Sequence, residues 1–254
     1  MVQFRLTVIK INHELLRDDL TIDEALMLQI KYQKIILNQK EKREKSHFTI
    51  GRVKWLVGVD ISYFREENQE FGVSCAVLWN LRKNKIETYS TAKNLIKFAY
   101  KPGFLGFREC NLISKAIIKL QKKIDLIICD GHGLIHPRRF GEAVQLGFAL
   151  NIPSIGVAKN PFIGYSEWKN LQKKKGQMVP IWANDPKITT ESSQELLGYA
   201  ICLNDGSKPV FISSGYKTPI KLAIEITLNT TINYRIPEPL YWADKFSREK
   251  IKLK

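Results

Sequence analysis

The amino-acid sequence predicts an α/β protein with a mixed sheet flanked by helices. Three observations carry that prediction. A short apolar run at 126–129 stops at Asp130, a helical pattern follows at 140–150, and a second apolar run at 153–158 leads to Lys159. That order is a β-α-β crossover, which joins parallel strands. Apolar runs at 71–79 and 86–91 flank the polar turn Asn80-Leu81-Arg82-Lys83-Asn84-Lys85, a hairpin and therefore an antiparallel pair. A run at 53–59 closes on Asp60 as 126–129 closes on Asp130, so two strands deliver acids to the sheet's carboxyl edge. Ligands of open α/β sheets bind outside that edge, and loops held by strands commonly carry catalytic groups.

The elements follow in order. Thr21-Ile22-Asp23-Glu24 has capping-box spacing, and Ala25, Leu26, Ile30, Ile35 and Ile36 give the helix after it an apolar face. The charge run Gln39-Lys40-Glu41-Lys42-Arg43-Glu44-Lys45 reads as a solvated helix end, or alternatively as a patch that contacts a nucleic-acid backbone. Residues 98–109 carry too much Pro and Gly for regular structure and are too aromatic for an ordinary surface loop, which suits a binding loop. A helix is expected over 110–122, with Leu112, Ala116, Ile117 and Leu120 on one stripe and Glu109 near its start. Strands are expected at 197–203 and 209–213, joined by Asn204-Asp205-Gly206, then a helix over 219–230; Arg235-Ile236-Pro237-Glu238-Pro239 reads as extended. With no internal repeat and no low-complexity linker, one domain over 1–254 is expected, its least defined ends being 1–20 and 246–254.

Composition narrows the function classes. Forty Lys and Arg against 25 Asp and Glu leave a formal net charge of +15, which favours a polyanionic partner, nucleic acid above all. No apolar run approaches the roughly 20 residues of a spanning helix, so no membrane role is expected. Met1-Val2-Gln3-Phe4-Arg5 leads into a mixed segment unlike a signal peptide, which fits a cytoplasmic protein. Cys75, Cys110, Cys129 and Cys202 are scattered and form no zinc-type spacing with His13, His47, His132 and His136, so they are expected reduced and mostly buried.

Three acids, Asp60, Glu109 and Asp130, stand at the end of an apolar element or at a helix start. They could converge on one hard divalent cation, since Mg²⁺ takes a few carboxylates and keeps its other positions for water and phosphate oxygens. For Glu109 the competing reading is an acid that suits a helix dipole. Lys159 could add positive charge at a phosphate, or simply be a surface lysine. His136, Arg138 and Arg139 could contact phosphates. Tyr100 beside Pro102 could be a wedge that fills the gap left by an extruded base, or a loop aromatic anchored on the core.

Set side by side, these segments resemble the endonuclease V family of metal-dependent, inosine-specific nucleases with an RNase H-like fold. Gly58-Val59-Asp60-Ile61-Ser62 resembles its first acidic strand. Ala99-Tyr100-Lys101-Pro102 resembles its Pro-Tyr-Ile-Pro wedge, and Gly103-Phe104-Leu105-Gly106-Phe107-Arg108-Glu109 continues as that family does. Asp130-Gly131-His132-Gly133-Leu134-Ile135-His136-Pro137-Arg138 and Gly156-Val157-Ala158-Lys159 match its core. Arg235-Ile236-Pro237-Glu238-Pro239 through Ala243-Asp244 resembles its closing segment.

The resemblance implies a role for each position. Asp60, Glu109 and Asp130 would hold Mg²⁺ or Mn²⁺, and Lys159 would assist at the scissile phosphate. Tyr100, Lys101 and Pro102 would form the wedge; Gly103, Leu105 and Gly131 would line the hypoxanthine pocket; Arg108, His136 and Arg138 would contact nucleic acid. The expected activity is a nick one nucleotide beyond deoxyinosine on its 3′ side in DNA, initiating repair, by a monomer. Inosine-containing RNA is the alternative substrate. Two departures stand out: Ala99 and Lys101 replace the wedge's usual proline and isoleucine, and Ser213-Ser214-Gly215-Tyr216 has Tyr216 where many relatives are expected to place a histidine near the metal. The second departure motivates a competing reading, a catalytically weak inosine-binding protein. A nonspecific basic RNA-binding module would leave the ordered acids without a purpose.

Overall fold

The structure is a computed structural model that describes residues 11–188 and 194–252. The segment 1–5, read above as unlike a signal peptide, lies outside the described residues. Among the described residues, eight strands form one mixed sheet: β1 (Trp55–Glu66), β2 (Gln69–Asn80), β3 (Lys85–Leu95), β4 (Leu126–Cys129), β5 (Ser154–Ala158), β6 (Met178–Trp182), β7 (Leu196–Ile201) and β8 (Val210–Ser214), in the spatial order β3-β2-β1-β4-β5-β8-β7-β6. The expected crossover is present, with β1, β4 and β5 running parallel and the remaining pairings antiparallel. This is the RNase H-like arrangement that the resemblance implied.

Among the described residues, six α-helices accompany the sheet: α1 (Ile22–Asn38), α2 (Lys40–Glu44), α3 (Leu105–Lys119), α4 (Glu142–Leu150), α5 (Ile220–Asn229) and α6 (Glu238–Lys252). Helix α1 starts at the capping box: the Glu24 amide donates to Thr21 Oγ1, and the Thr21 amide donates to Glu24 Oε2 at 2.7 Å. Strand alternation sends β1 side chains to opposite faces. Val57, Val59 and Ile61 pack with Ile113, Ile117 and Leu146 of α3 and α4, whereas Leu56 packs with Ala223, Ile226 and Leu240 of α5 and α6. Helix α6 lies directly on β1, because a Cβ at Gly58 would stand 2.4 Å from the Pro239 carbonyl carbon. The four cysteines are free and buried, as expected.

Three expectations are corrected. Strand β1 does not end at Asp60; it continues to Glu66 and turns into β2 through Glu67 and Asn68, both at positive φ, a pairing that suits a tight hairpin. Helix α3 begins at Leu105, so Glu109 sits in its second turn rather than at its start. The charge run forms a short helix, α2, exposed apart from Arg43, which pairs with Glu44, in line with the solvated reading. Pro239 does not keep the tail extended but lies in the first turn of α6, where its missing N–H costs no intrahelical bond.

Candidate active site

The parallel register places the first two acids together. Val59 pairs with Cys129, and one residue further on Asp130 donates its amide to the Val59 carbonyl, so Asp60 and Asp130 stand side by side where β4 ends. The Asp60 side chain points to the face away from α3, because alternation sends Val59 toward it. Lys159, the first residue after β5, extends its ammonium to Asp130 Oδ2, and its carbonyl accepts from Arg235 Nη2 at 2.9 Å. Asp60 Oδ1 accepts the Ile61 amide at 2.7 Å. Burial, and after it the charge of Asp130, holds the Asp60 carboxyl well above the usual carboxylate range. Burial also raises Asp130, while Lys159 works against that rise.

Glu109 comes from the opposite layer. Its Oε1 accepts the Tyr63 hydroxyl, and burial pushes its carboxyl up to about 7, against the lowering effects of that hydrogen bond and of Arg108. Glu109 and Asp130 are close enough to feel each other's charge. Among the described residues, however, no three His, Cys, Asp or Glu side chains stand together in a ready metal-binding group. Each predicted acid instead has a protein partner: Ile61 for Asp60, Tyr63 for Glu109, Lys159 for Asp130.

A cavity of about 380 Å³ opens beside Asp130 and Lys159. Its walls bring together Tyr100, Lys101, Pro102, Gly103 and Leu105 from one segment, and Gly131 and His136 from the other. Tyr100 stands at the surface with 67% of its area exposed, so the core-anchored reading of this ring does not describe it. Gly103 adopts φ +83, a left-handed conformation that glycine takes without the penalty a Cβ brings. Its carbonyl is fixed from three sides, by Gln29 Nε2 at 2.9 Å, Arg138 Nη2 at 2.9 Å and His136 Nε2 at 3.1 Å.

Two predicted nucleic-acid contacts therefore hold the loop. His136 Nδ1 accepts the Arg138 amide at 3.2 Å, which leaves Nε2 carrying the proton that binds Gly103. Arg138 also contacts Gln29 and covers the Phe104 ring at 4.6 Å. Arg108 does not reach the cavity at all. It is buried, donating to the Phe98 carbonyl, pairing with Glu70 at 2.7 Å and covering the Tyr63 ring.

Burial lowers the His136 pKa to about 3, the effects of Gly103 and the neighbouring arginines being smaller. The folded chain thus resists a proton that the unfolded chain accepts near pH 6.5, so stability is full above that pH and is lost as pH falls toward about 3. Replacing His136 by Asn is expected to flatten the fall in melting temperature between pH 6.5 and 4. An unchanged slope would exclude His136 as its source.

Two acids that the spacing did not reveal join the site. Asp244, on α6, adds its negative charge to the field at Asp60, Asp130 and Lys159, and is itself paired with Arg248 at 2.7 Å. Glu142, the first residue of α4, lines the cavity. Tyr216, expected near the metal, lies elsewhere: its hydroxyl donates to Asn151 Oδ1 at 3.2 Å and its ring packs on Phe148 at 5.0 Å. Its burial among Tyr32, Phe140 and Val144 explains that placement.

Comparison with known proteins agrees with this geometry. The family model described as Endonuclease V matches residues 33–245. The chain belongs to the endonuclease V family. The Dictyoglomus turgidum endonuclease V is 35% identical, over 90% of this chain and 90% of its own. The Bacillus subtilis endonuclease V structure shares the fold, with a TM-score of 0.81 at 22% identity over 94% of this chain and 96% of its own. A Ciona intestinalis endonuclease V, solved in complex with a 24mer DNA containing an inosine followed by a ribo-adenosine, is 29% identical, with a TM-score of 0.78 over 91% of this chain and 97% of its own. Members of the endonuclease V family are nucleases, hence phosphodiester hydrolases. An acid pair with an adjacent ammonium and a base-sized cavity is chemistry suited to that reaction. Among the described residues, no helix is long and apolar enough to cross a membrane.

Proposed function

We propose that the chain recognises deoxyinosine in DNA and hydrolyses the phosphodiester one nucleotide beyond it on the 3′ side, as a single catalytic domain acting as a monomer. The observation that carries this reading is the continuity of the cavity, which runs from the exposed Tyr100 past Gly103 to Asp130 and Lys159. A base extruded from the stack would enter beside the groups that act on its own strand. The Ciona complex with inosine-containing DNA supports the choice of base.

The residues fit a hard divalent cation. Asp60, Glu109 and Asp130 offer only oxygen donors, and burial, joined by the charge of Asp130 at Asp60 and Glu109 and of Asp244 at Asp130, holds them above their usual range, a cost that a cation removes. These three would hold Mg²⁺ or Mn²⁺, which supplies Lewis acidity beside the scissile phosphate. Lys159 Nζ presents a positive donor to a phosphate oxygen from the same side as Asp130. His136, Arg138 and Gln29 fix the Gly103 loop, so the pocket wall is set before the base arrives. Lys101, exposed next to Tyr100, is placed to meet a backbone phosphate. Arg108 acts through the loop it ties down and not by touching nucleic acid.

The test is nicking of end-labelled duplex DNA and matched RNA, each with one inosine, with Mg²⁺ and with chelator. A metal-dependent nick confined to the inosine strand, on its 3′ side, is expected, and the ratio of DNA to RNA rates names the substrate. Cleavage that ignores inosine would sink the reading. Tyr100→Ala is expected to lower the preference for inosine-containing over normal duplex about tenfold, the worth of one lost stacking contact. Equal losses on both duplexes would show that Tyr100 is not the wedge.

A further inference from the structure

Glu142 is buried, with 4% of its area exposed, and its Oε2 has no hydrogen-bond partner. A buried polar atom without a partner is costly and calls for an explanation. This one faces the cavity that holds Gly103, Leu105 and Gly131. Its place within the wall is well defined, because a Cβ at Gly131 would meet Glu142 Oε2 at 2.3 Å. The carboxyl therefore lies over the backbone of Gly131, on the base-receiving side of Asp130. The main chain holds it there: Cys110 Sγ donates to the Glu142 carbonyl at 3.8 Å, and the next amide, Ala143, donates to the His132 carbonyl at 3.1 Å. Burial, and after it the charges of Glu109, Asp130 and Asp60, pushes the Glu142 carboxyl well above the usual carboxylate range; the positive end of α4 behind it, and a hydrogen-bond donor brought to Oε2, act against that rise.

His132 Nδ1, equally unpartnered, lines the same cavity. Burial keeps this imidazole neutral, with its pKa lowered to about 4. The wall thus offers two polar atoms with nothing in the chain to bind them. A ligand edge that donates a hydrogen bond would satisfy the carboxylate, and a 6-oxopurine such as hypoxanthine carries a donor, N1–H, where adenine carries a bare acceptor nitrogen.

We infer that Glu142 is a specificity-determining residue that accepts the N1–H of the extruded 6-oxopurine in the cavity beside Asp130. The inference rests on the inosine reading given above and adds to it the atom that reads the base. An acceptor aimed at N1 rejects adenine by leaving two acceptors face to face, a discrimination that shape alone achieves poorly.

The experiment compares nicking of strands carrying hypoxanthine, 1-methylhypoxanthine or adenine by the wild-type protein, E142Q and E142A under one metal concentration. Substrate ratios within each protein are unaffected by the fraction that is folded. The wild-type protein is expected to prefer hypoxanthine over 1-methylhypoxanthine by about 10- to 100-fold, the scale of a hydrogen bond to a charged group. In E142A that preference is expected to collapse to within about threefold, because the acceptor is gone and the methyl group gains room. In E142Q the hypoxanthine-to-adenine ratio is expected to fall about tenfold, since the amide can turn its donor toward adenine N1. Unchanged ratios in both variants, with wild-type nicking of inosine intact, would overturn this inference alone. A uniform loss on every base, cured by more metal, would place Glu142 with the cation and overturn it too. Wild-type protein that ignores inosine would remove the inosine reading together with this one.

Discussion

Asp130→Asn is expected to slow nicking of an inosine strand by roughly 10³-fold or more while affinity for that strand stays equal or rises slightly. The substitution preserves the size of the side chain and removes one anionic oxygen from the centre of the site. In the folded chain that carboxylate is the partner of Lys159 and the immediate neighbour of Asp60. Asparagine cannot neutralise a cation, so the ligand set expected to hold Mg²⁺ or Mn²⁺ loses a charged member. The cavity walls at Gly103, Leu105 and His136 are untouched, and the ammonium of Lys159 becomes free to meet a phosphate, which is why binding survives. Single-turnover cleavage at saturating enzyme and equilibrium binding in chelator separate the two effects. Cleavage at the wild-type rate would remove Asp130 from the chemistry. A parallel loss of binding would mean that the substitution had damaged the pocket instead.

What the chain reveals before folding is the part written in local pattern. The β-α-β unit was legible because the apolar runs of β4 and β5 are buried on both faces and flank a helix of ordinary length. The Asp130 loop was legible because strand, acid and glycines are consecutive in sequence. Strand β6 was not, since Pro180 interrupts its pattern; it is tolerated because β6 is the outermost strand of the sheet. Helix α6 was hidden by Pro237 and Pro239, which also suit the start of a helix. The start of α3 is hidden because Gly103 and Gly106 look like loop residues, and only Gln145, packed against Gly106 from α4, shows why a glycine belongs inside that helix. Glu142 and Asp244 join the site through tertiary packing. Each looks like a surface acid on a helix until that helix is laid on the sheet.

The position of α6 leads to the second large expected effect: Asp244→Asn should slow nicking by roughly 10²-fold, whereas Tyr216→His should leave it within about threefold of wild type. The sequence pointed the other way, to Tyr216 as the residue standing in for a metal-site histidine. In the structure the Tyr216 amide donates to Ser154 Oγ at 2.8 Å, and its ring belongs to an apolar cluster with Leu134 and Phe140. An imidazole there would lose packing and lower stability without reaching a reacting atom. Asp244 is brought to the acids by two contacts between α6 and β1: the close approach of Pro239 to Gly58, and the 2.7 Å hydrogen bond between Ser247 and Ser62 Oγ atoms. Ser62 and Asp60 share a face of β1, so the helix residue lying between those two anchors meets the acid lying between them on the strand. The charge of Asp244 raises the carboxyls of Asp60 and Asp130 and favours the ammonium of Lys159, an influence that an amide cannot exert. Activity that survives Asp244→Asn but rises well beyond threefold in Tyr216→His would restore the sequence-based assignment. The opposite pattern would also remove the motive for reading the protein as a weak binder, because that motive was the absence of a histidine at Tyr216.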